Sequence, residues 1–242
     1  MPKRHHVVTM SLLGLCLGMS TACGSVNPAV TGAVPAAPAR APDLARSPGP
    51  GQSAGPGSTE SPAPVPEGFK PIGGPVNGVV VAVPKDWVAL DLTKDDLDKG
   101  LKSSGLSGPT LEQAKKSLQA LVDNNGIWAS DADSAKSSVN GFPTNLNAFC
   151  QAGRQMSTDQ LLKETRSQLV QLNAKIIEAR KVRLGSREAA RIVYSFATNG
   201  VDVHGTQYYV PTGIKTCIVT LSTDAKDKQE LFDRIGETIR PI

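Results

Sequence analysis

The chain has 242 residues, 39% hydrophobic and 4% aromatic, with 26 Lys and Arg against 22 Asp and Glu, a formal charge of +4. That length allows one domain with a real core plus additional segments. The small positive balance argues against nucleic-acid binding, which needs a concentrated basic surface.

At the start, Lys3 and Arg4 precede an apolar run from Val7 to Met19, followed by Ser20, Thr21, Ala22 and Cys23. The run is too short to cross a bilayer as a finished helix, and the small residues before Cys23 suit a peptidase pocket. Residues 1–22 therefore read as a cleaved export signal. A cysteine directly after the cleavage point resembles the bacterial lipobox, although Ser20 stands where that motif usually carries leucine. The resemblance implies cleavage between Ala22 and Cys23, acylation of the Cys23 thiol, and a membrane partner met through an N-terminal lipid anchor. The alternative is an ordinary signal peptide cut after Ala22 that leaves a free thiol.

Residues 23–66 hold the expected lipidated cysteine and a stretch of Pro, Ala, Gly, Ser and Thr with isolated charges at Arg40, Asp43, Arg46 and Glu60. Too few large apolar side chains are present to offset the entropy of ordering, so a disordered spacer is expected. Its end-to-end distance as a coil would be roughly 35 Å.

The folded part is expected over residues 67–242. Gly78 to Val83 is a β-branched run ended by the turn Pro84-Lys85-Asp86-Trp87, and Val88 to Leu92 resumes the strand. Thr93 is placed to cap a short helix carrying Leu97 and Leu101. Pro109 opens a clearer helix with Leu111, Ala114, Leu118, Leu121 and Val122 on one face. Asn124, Asn125 and Gly126 stop it before a strand at Ile127-Trp128-Ala129. Phe142 to Cys150 alternates as a strand, with Leu146, Ala148 and Cys150 on one side.

Ser157 and Gln160 form a capping box ahead of a helix whose Leu161, Leu162, Thr165, Leu169 and Leu172 face inward. Antiparallel strands follow over Lys175 to Leu184 and Arg187 to Thr198, joined at Gly185-Ser186. Asn199-Gly200 is a favoured hairpin dipeptide, with a turn widened to Gly205 as the alternative. Thr206 to Val210 and Ile214 to Leu221 are the last two strands, and Asp224 is placed to cap a helix striped by Leu231, Phe232, Ile235 and Ile239. Consecutive strands with helices at both ends indicate the α+β class: an antiparallel β-sheet flanked by helices.

With Cys16 in the signal and Cys23 taken by lipid, Cys150 and Cys217 remain. In an oxidising exterior two such cysteines form one disulfide, whereas a zinc site combining them with Asp202 and His204 lacks any close ligand pairing. The basic residues Lys175, Arg180, Lys181, Arg183, Arg187 and Arg191 surround the long hairpin and read as a solvated sheet face, with anionic lipid or wall polymer as the alternative partner. His204 is the one histidine after the signal and reads as an exposed turn residue near a hairpin tip. No nucleophile elbow, HExxH or phosphate loop is present. Asp95-Asp96 suits a helix start, and Asp131 with Asp133 lacks further oxygen ligands for calcium. No catalytic residue, metal ligand or cofactor is assigned.

The Pro84 to Trp87 turn resembles the start of PsbP-like domains. So do the Gly141-Phe142-Pro143 strand entry, the hairpin through Arg191 to Tyr194, and the Cys217 to Leu221 strand with its helix up to Ile239-Arg240-Pro241. Within that superfamily the chain is similar to the LpqN/LpqT-type envelope lipoproteins of mycobacteria and their relatives. They too join a lipobox and a Pro/Ser/Thr-rich linker to such a domain. The resemblance implies a PsbP-like α/β/α sandwich in a non-catalytic binding or accessory module. Its place would be the outer face of the cytoplasmic membrane of an actinobacterium, and its partner an envelope protein or glycolipid. An exported hydrolase or transferase acting on wall polymer or lipid is the competing reading. Tyr194, Tyr208, Tyr209, Trp87 and Trp128 are candidate contact aromatics, with sheet packing as the plainer role.

Overall fold

The structure, a computed structural model, describes residues 65–92, 97, 112, 115, 118, 119, 121–138, 141–152, 156–198 and 201–242. The signal, Cys23, the spacer as far as Pro64, Asp95-Asp96 and most of the helix expected from Pro109 lie outside these residues.

Two antiparallel sheets form among the described residues. The smaller has the order β1 (Phe69–Gly74), β2 (Val79–Pro84) and β10 (Arg240–Pro241). The larger runs β3 (Val88–Asp91), β4 (Ile127–Asp131), β5 (Thr144–Ala152), β9 (Lys215–Thr223), β8 (Val201–Pro211), β7 (Arg187–Thr198) and β6 (Lys175–Leu184). Helices α1 (Ser134–Ser137), α2 (Thr158–Gln171) and α3 (Gln229–Gly236) complete the labelled elements. Glu112, Lys115, Leu118, Gln119 and residues 121–123 are also helical. No helix among the described residues is long and apolar enough to cross a membrane.

Strand alternation assigns the faces of the larger sheet. Leu146 and Ala148 of β5, Val219 and Leu221 of β9, and Tyr208 and Val210 of β8 join one core with Val79, Val81 and Val83 of β2 and with Phe232, Ile235 and Ile239. The smaller sheet and the α3 region thus cover this face. On the opposite face α2 packs against β6, β7 and β8 and buries Leu161, Thr165 and Leu169. This is the expected α+β arrangement of an antiparallel sheet flanked by helices, with a second small sheet added to one layer.

The capping box is present: the Ser157 N–H donates to Gln160 Oε1 at 2.9 Å and the Gln160 N–H donates to Ser157 Oγ at 3.3 Å. Asn125, at φ 51°, ends the preceding helix as its Asn-Asn-Gly sequence indicates. Cys150 and Cys217 face each other across β5 and β9 and are joined by a disulfide, with Cα atoms 3.9 Å apart.

The structure corrects two expectations, at Leu172 and Asp224, adds one strand and decides between two turn readings. Strand β1 is an addition to the expected strands; it contains Pro71, Gly73 and Gly74 and forms at a sheet edge, where a proline is tolerated. Leu172 is the C-cap of α2 and is exposed instead of facing inward, because the helix has already ended there. Asp224 does not cap α3, whose N-cap is Lys228; its carboxylate accepts a short hydrogen bond from Ser138 Oγ. Strand β8 starts at Val201, and Thr198 pairs with it, so the hairpin does not widen to Gly205; Asn199 and Gly200 themselves lie outside the described residues. Gly205 lies inside β8 opposite Tyr194, where an added Cβ would sit 2.4 Å from Tyr194 Cζ.

Two outcomes follow for stability. Gly205→Ala forces that ring out of its site and should lower unfolding free energy by about 1–3 kcal/mol in urea titration; an unchanged midpoint would contradict the packing. Opening the disulfide, whose cysteines lie 67 residues apart in sequence, should cost about 4 kcal/mol on the chain-entropy model. The check is the thermal midpoint with and without reductant, and with Cys150→Ala plus Cys217→Ala.

Candidate functional site

On the face that α2 covers, the two middle strands present polar side chains. Alternation sends Asn145 and Asn147 of β5 to the side opposite Leu146 and Ala148, and Thr220 of β9 to the side opposite Val219 and Leu221. Register then aligns Trp128 of β4, Asn147, Thr220 and Gln207 of β8 in one row across the sheet. A second row joins Ser130, Asn145, Ser222 and Gly205. Trp128, Ser130, Asn145, Asn147, Thr220 and Gln207 are all buried.

Part of the row is internally satisfied. Gln207 Nε2 donates to Thr220 Oγ1 at 3.3 Å, and the Tyr209 hydroxyl donates to Gln207 Oε1 at 3.0 Å. Asn145 Nδ2 donates to the Pro143 carbonyl at 2.9 Å. These amides and hydroxyls both donate and accept, and none carries charge. Such a set is suited to matching the hydroxyls or amides of a neutral polar ligand, with the Trp128 indole as a flat apolar neighbour. Sequence reading named Trp128 and Tyr209 but missed the four polar positions. Their signal was legible: Asn, Thr and Gln in phase with one another on strands whose other face is apolar.

A charged cluster sits on the opposite face. Arg191 of β7 is buried, and its Nε and Nη2 donate to Asp233 Oδ1 of α3 at 3.1 and 2.6 Å. Its Nη1 donates to Glu178 Oε2 of β6, and Gln229 Nε2 also reaches Asp233 Oδ1, at 3.1 Å. Burial works against the guanidinium charge, but the bonds to Asp233, Tyr208 and Glu178 outweigh it and hold Arg191 protonated beyond its ordinary range. Burial likewise opposes the Glu178 carboxylate, and the bonds from Arg191 and Arg180 prevail, so its pKa falls. The cluster fastens α3 to the sheet. Reading Arg191 as part of a solvated face is therefore wrong, because it is in phase with the buried Ala189 and Val193; Lys175, Arg180, Lys181, Arg183 and Arg187 are exposed as expected.

His204 is corrected too. It lies within β8, opposite Ser195 and Thr223, and is partly buried instead of sitting in an exposed turn. Its Nε2 is buried without a hydrogen-bond partner, so no serine hydroxyl or carboxylate engages that nitrogen as a triad would require. With Cys150 and Cys217 bonded to each other, the zinc alternative loses both thiolates. No group of three or more His, Cys, Asp or Glu able to hold a metal occurs among the described residues. Asp131 Oδ1 accepts from the Asp133 and Ser134 N–H groups, both at 3.1 Å, and Asp133 pairs with Lys136 at 2.6 Å. Those carboxylates shape a turn. Tyr194, Tyr208, Tyr209, Trp87 and Trp128 are all buried in the fold, Trp128 within the first polar row and Tyr209 bonded to its Gln207. Ala22 and Cys23 lie outside the described residues.

No family model and no curated protein matches the sequence. Among solved structures, the chain is similar to cyanobacterial PsbP from Synechocystis, at 11% identity over 72% of this chain and 93% of that one, with a TM-score of 0.46. It is also similar to LpqN of Mycobacterium tuberculosis, described as involved in cell envelope biogenesis, at 17% identity over 71% and 88%, with a TM-score of 0.41. A Bacteroides thetaiotaomicron protein matches at 10% identity with a TM-score of 0.44; 72% of this chain is covered, and it spans about half, 49%, of that one.

All 3 tyrosines of the chain are buried. Burial raises Tyr194, with the neighbouring Tyr209 adding to it, and pushes Tyr208 and Tyr209 up to about 12. Since the folded values exceed the unfolded one of about 10, this stabilisation is complete below that pH and is lost as pH rises toward 12. Phenolate absorbance should therefore stay flat through pH 10 and then rise together with loss of circular dichroism. Ionisation near pH 10 in a still-folded chain would contradict the burial.

Proposed function

We propose that this chain is an envelope lipoprotein of the LpqN/LpqT type. It is exported by residues 1–22, anchored through acylated Cys23, and spaced from the membrane by the Pro-rich segment up to Pro66. Its domain is a binding module rather than a catalyst, and its ligand is an uncharged polar group such as the sugar headgroup of an envelope glycolipid. The observation that supports this reading is the uncharged row Trp128, Asn147, Thr220 and Gln207 on the interior face of the larger sheet. Amides and hydroxyls beside an indole match the hydroxyls and flat apolar faces of a sugar. An acid–base or nucleophilic role needs groups this row lacks. An envelope protein as partner remains the second ligand class under the same anchor.

The anchor is tested by mass spectrometry of the native chain: an N-terminal acylated Cys23 is expected, and Cys23→Ala should move the protein from the membrane fraction to the medium. The ligand is tested by overlaying purified protein on glycolipids separated from the same envelope. Wild type should retain a glycolipid band, and Asn147→Leu and Gln207→Leu should each weaken retention roughly tenfold, about 1.4 kcal/mol, with unchanged circular dichroism. Equal retention by all three proteins would overturn the site. Enrichment of a protein in place of glycolipid would overturn the ligand class.

A further inference from the structure

We propose that the corner where α2 turns into β6 is a membrane-contact surface for a bilayer rich in anionic phospholipid. Seven large hydrophobic residues are exposed among those described, and three of them fall at this corner: Val170 at 60%, Leu172 at 43% and Ile177 at 58%. The turn between the two elements is tight. Leu172 caps α2, Asn173 takes φ 58°, and the Ala174 N–H returns to the Leu169 carbonyl at 2.9 Å. Lys181 Nζ reaches Asp159 Oδ2 at 2.8 Å, so the helix runs back along the strand and its end lies by the strand's start. The pairing of β6 with β7 is irregular between Ile176 and Glu178, which leaves Ile177 out of the ladder and in solvent.

Charge completes the surface. Lys163 and Arg166 on α2 and Lys175 on β6 are exposed, and none forms an ion pair among the described residues. Of the carboxylates on the two elements, Glu178 is held by Arg191 and Arg180, Asp159 by Lys181, and Glu164 is half-buried. Aliphatic side chains beside uncompensated Lys and Arg are what an anionic headgroup layer over acyl chains attracts. Addition of another protein strand fits less well. β6 is a sheet edge, but its irregularity and its cations Lys175, Arg180, Lys181 and Arg183 oppose strand pairing, and a second copy would set those cations against one another.

The contact deepens the envelope reading and rests on it for its biological setting, while the affinity itself belongs to the corner. The test uses the chain from residue 23 onward carrying Cys23→Ser, so that no acyl group contributes, in co-sedimentation with vesicles of phosphatidylcholine alone or mixed with phosphatidylglycerol. Partitioning should be at least tenfold stronger with phosphatidylglycerol and should weaken in high salt. Arg166→Glu with Lys175→Glu should lower it tenfold or more, and Leu172→Ser with Ile177→Ser several-fold, with unchanged circular dichroism and thermal midpoint. Equal binding to both vesicles, undiminished binding by folded variants, or self-association and binding of a poly-glutamate peptide without vesicle binding would each overturn it. A native chain lacking acylated Cys23 would instead overturn the anchor and leave the vesicle result standing.

Discussion

The larger sheet must hide both of its faces, and that requirement arranges everything else in the domain. A strand offers alternate residues to opposite sides, so a sheet covered twice needs apolar or well-paired side chains at nearly every position of its central strands. β5, β8 and β9 meet it with Leu146, Ala148, Tyr208, Val210, Val219 and Leu221 on the side that receives Phe232, Ile235 and Ile239. Fully buried side chains of this size each contribute roughly 1.5–3 kcal/mol relative to exposure. The disulfide joins the same central pair of strands, so the covalent link and the apolar contact restrain the same register.

The other face meets the requirement differently, and the difference carries the functional reading. Leu161 and Leu169 of α2 bury against the β6–β8 side, but between there and Trp128 the strands supply Asn147, Thr220 and Gln207. Burying an amide or hydroxyl without a partner costs about 1–3 kcal/mol by mutational measures. The row limits that cost by internal pairing, Gln207 donating to Thr220 and accepting from Tyr209, where the other face carries Val219 and Val210. The proposed ligand reading rests on these groups being polar, uncharged and in register across neighbouring strands.

Much of the architecture was legible because its signals are local. The Ser157–Gln160 box, the Asn-Asn-Gly stop before β4, and the period of two through Lys175–Leu184 and Arg187–Thr198 each specify an element without help from distant residues. What escaped depends on neighbours remote in sequence. β1 is a strand because β2 pairs with it, against its own proline and glycines. Asp224 lies next to a helix in sequence yet serves Ser138. His204 looked like a turn residue because Gly205 follows it, whereas that glycine is needed for the Tyr194 ring across the ladder. The polar rows share this property, since a row across β4, β5, β9 and β8 exists only once strand order is known.

Arg191 links the interior to the surface. Its spacing from Ala189 and Val193 puts it inside, while Arg180, directly opposite on the edge strand, remains in solvent. A buried guanidinium must be matched by carboxylates, and it takes Asp233 from α3 and Glu178 from β6. Glu178, the one acidic side chain of β6, is shared between the buried Arg191 and the exposed Arg180. At the α2–β6 corner, Lys163, Arg166 and Lys175 form no ion pair among the described residues and stand beside Val170, Leu172 and Ile177. The Arg191 cluster lies on the face opposite α2 and joins α3 to both the second and the edge strand of the hairpin. One buried residue thus couples the seating of the C-terminal helix to the edge strand β6.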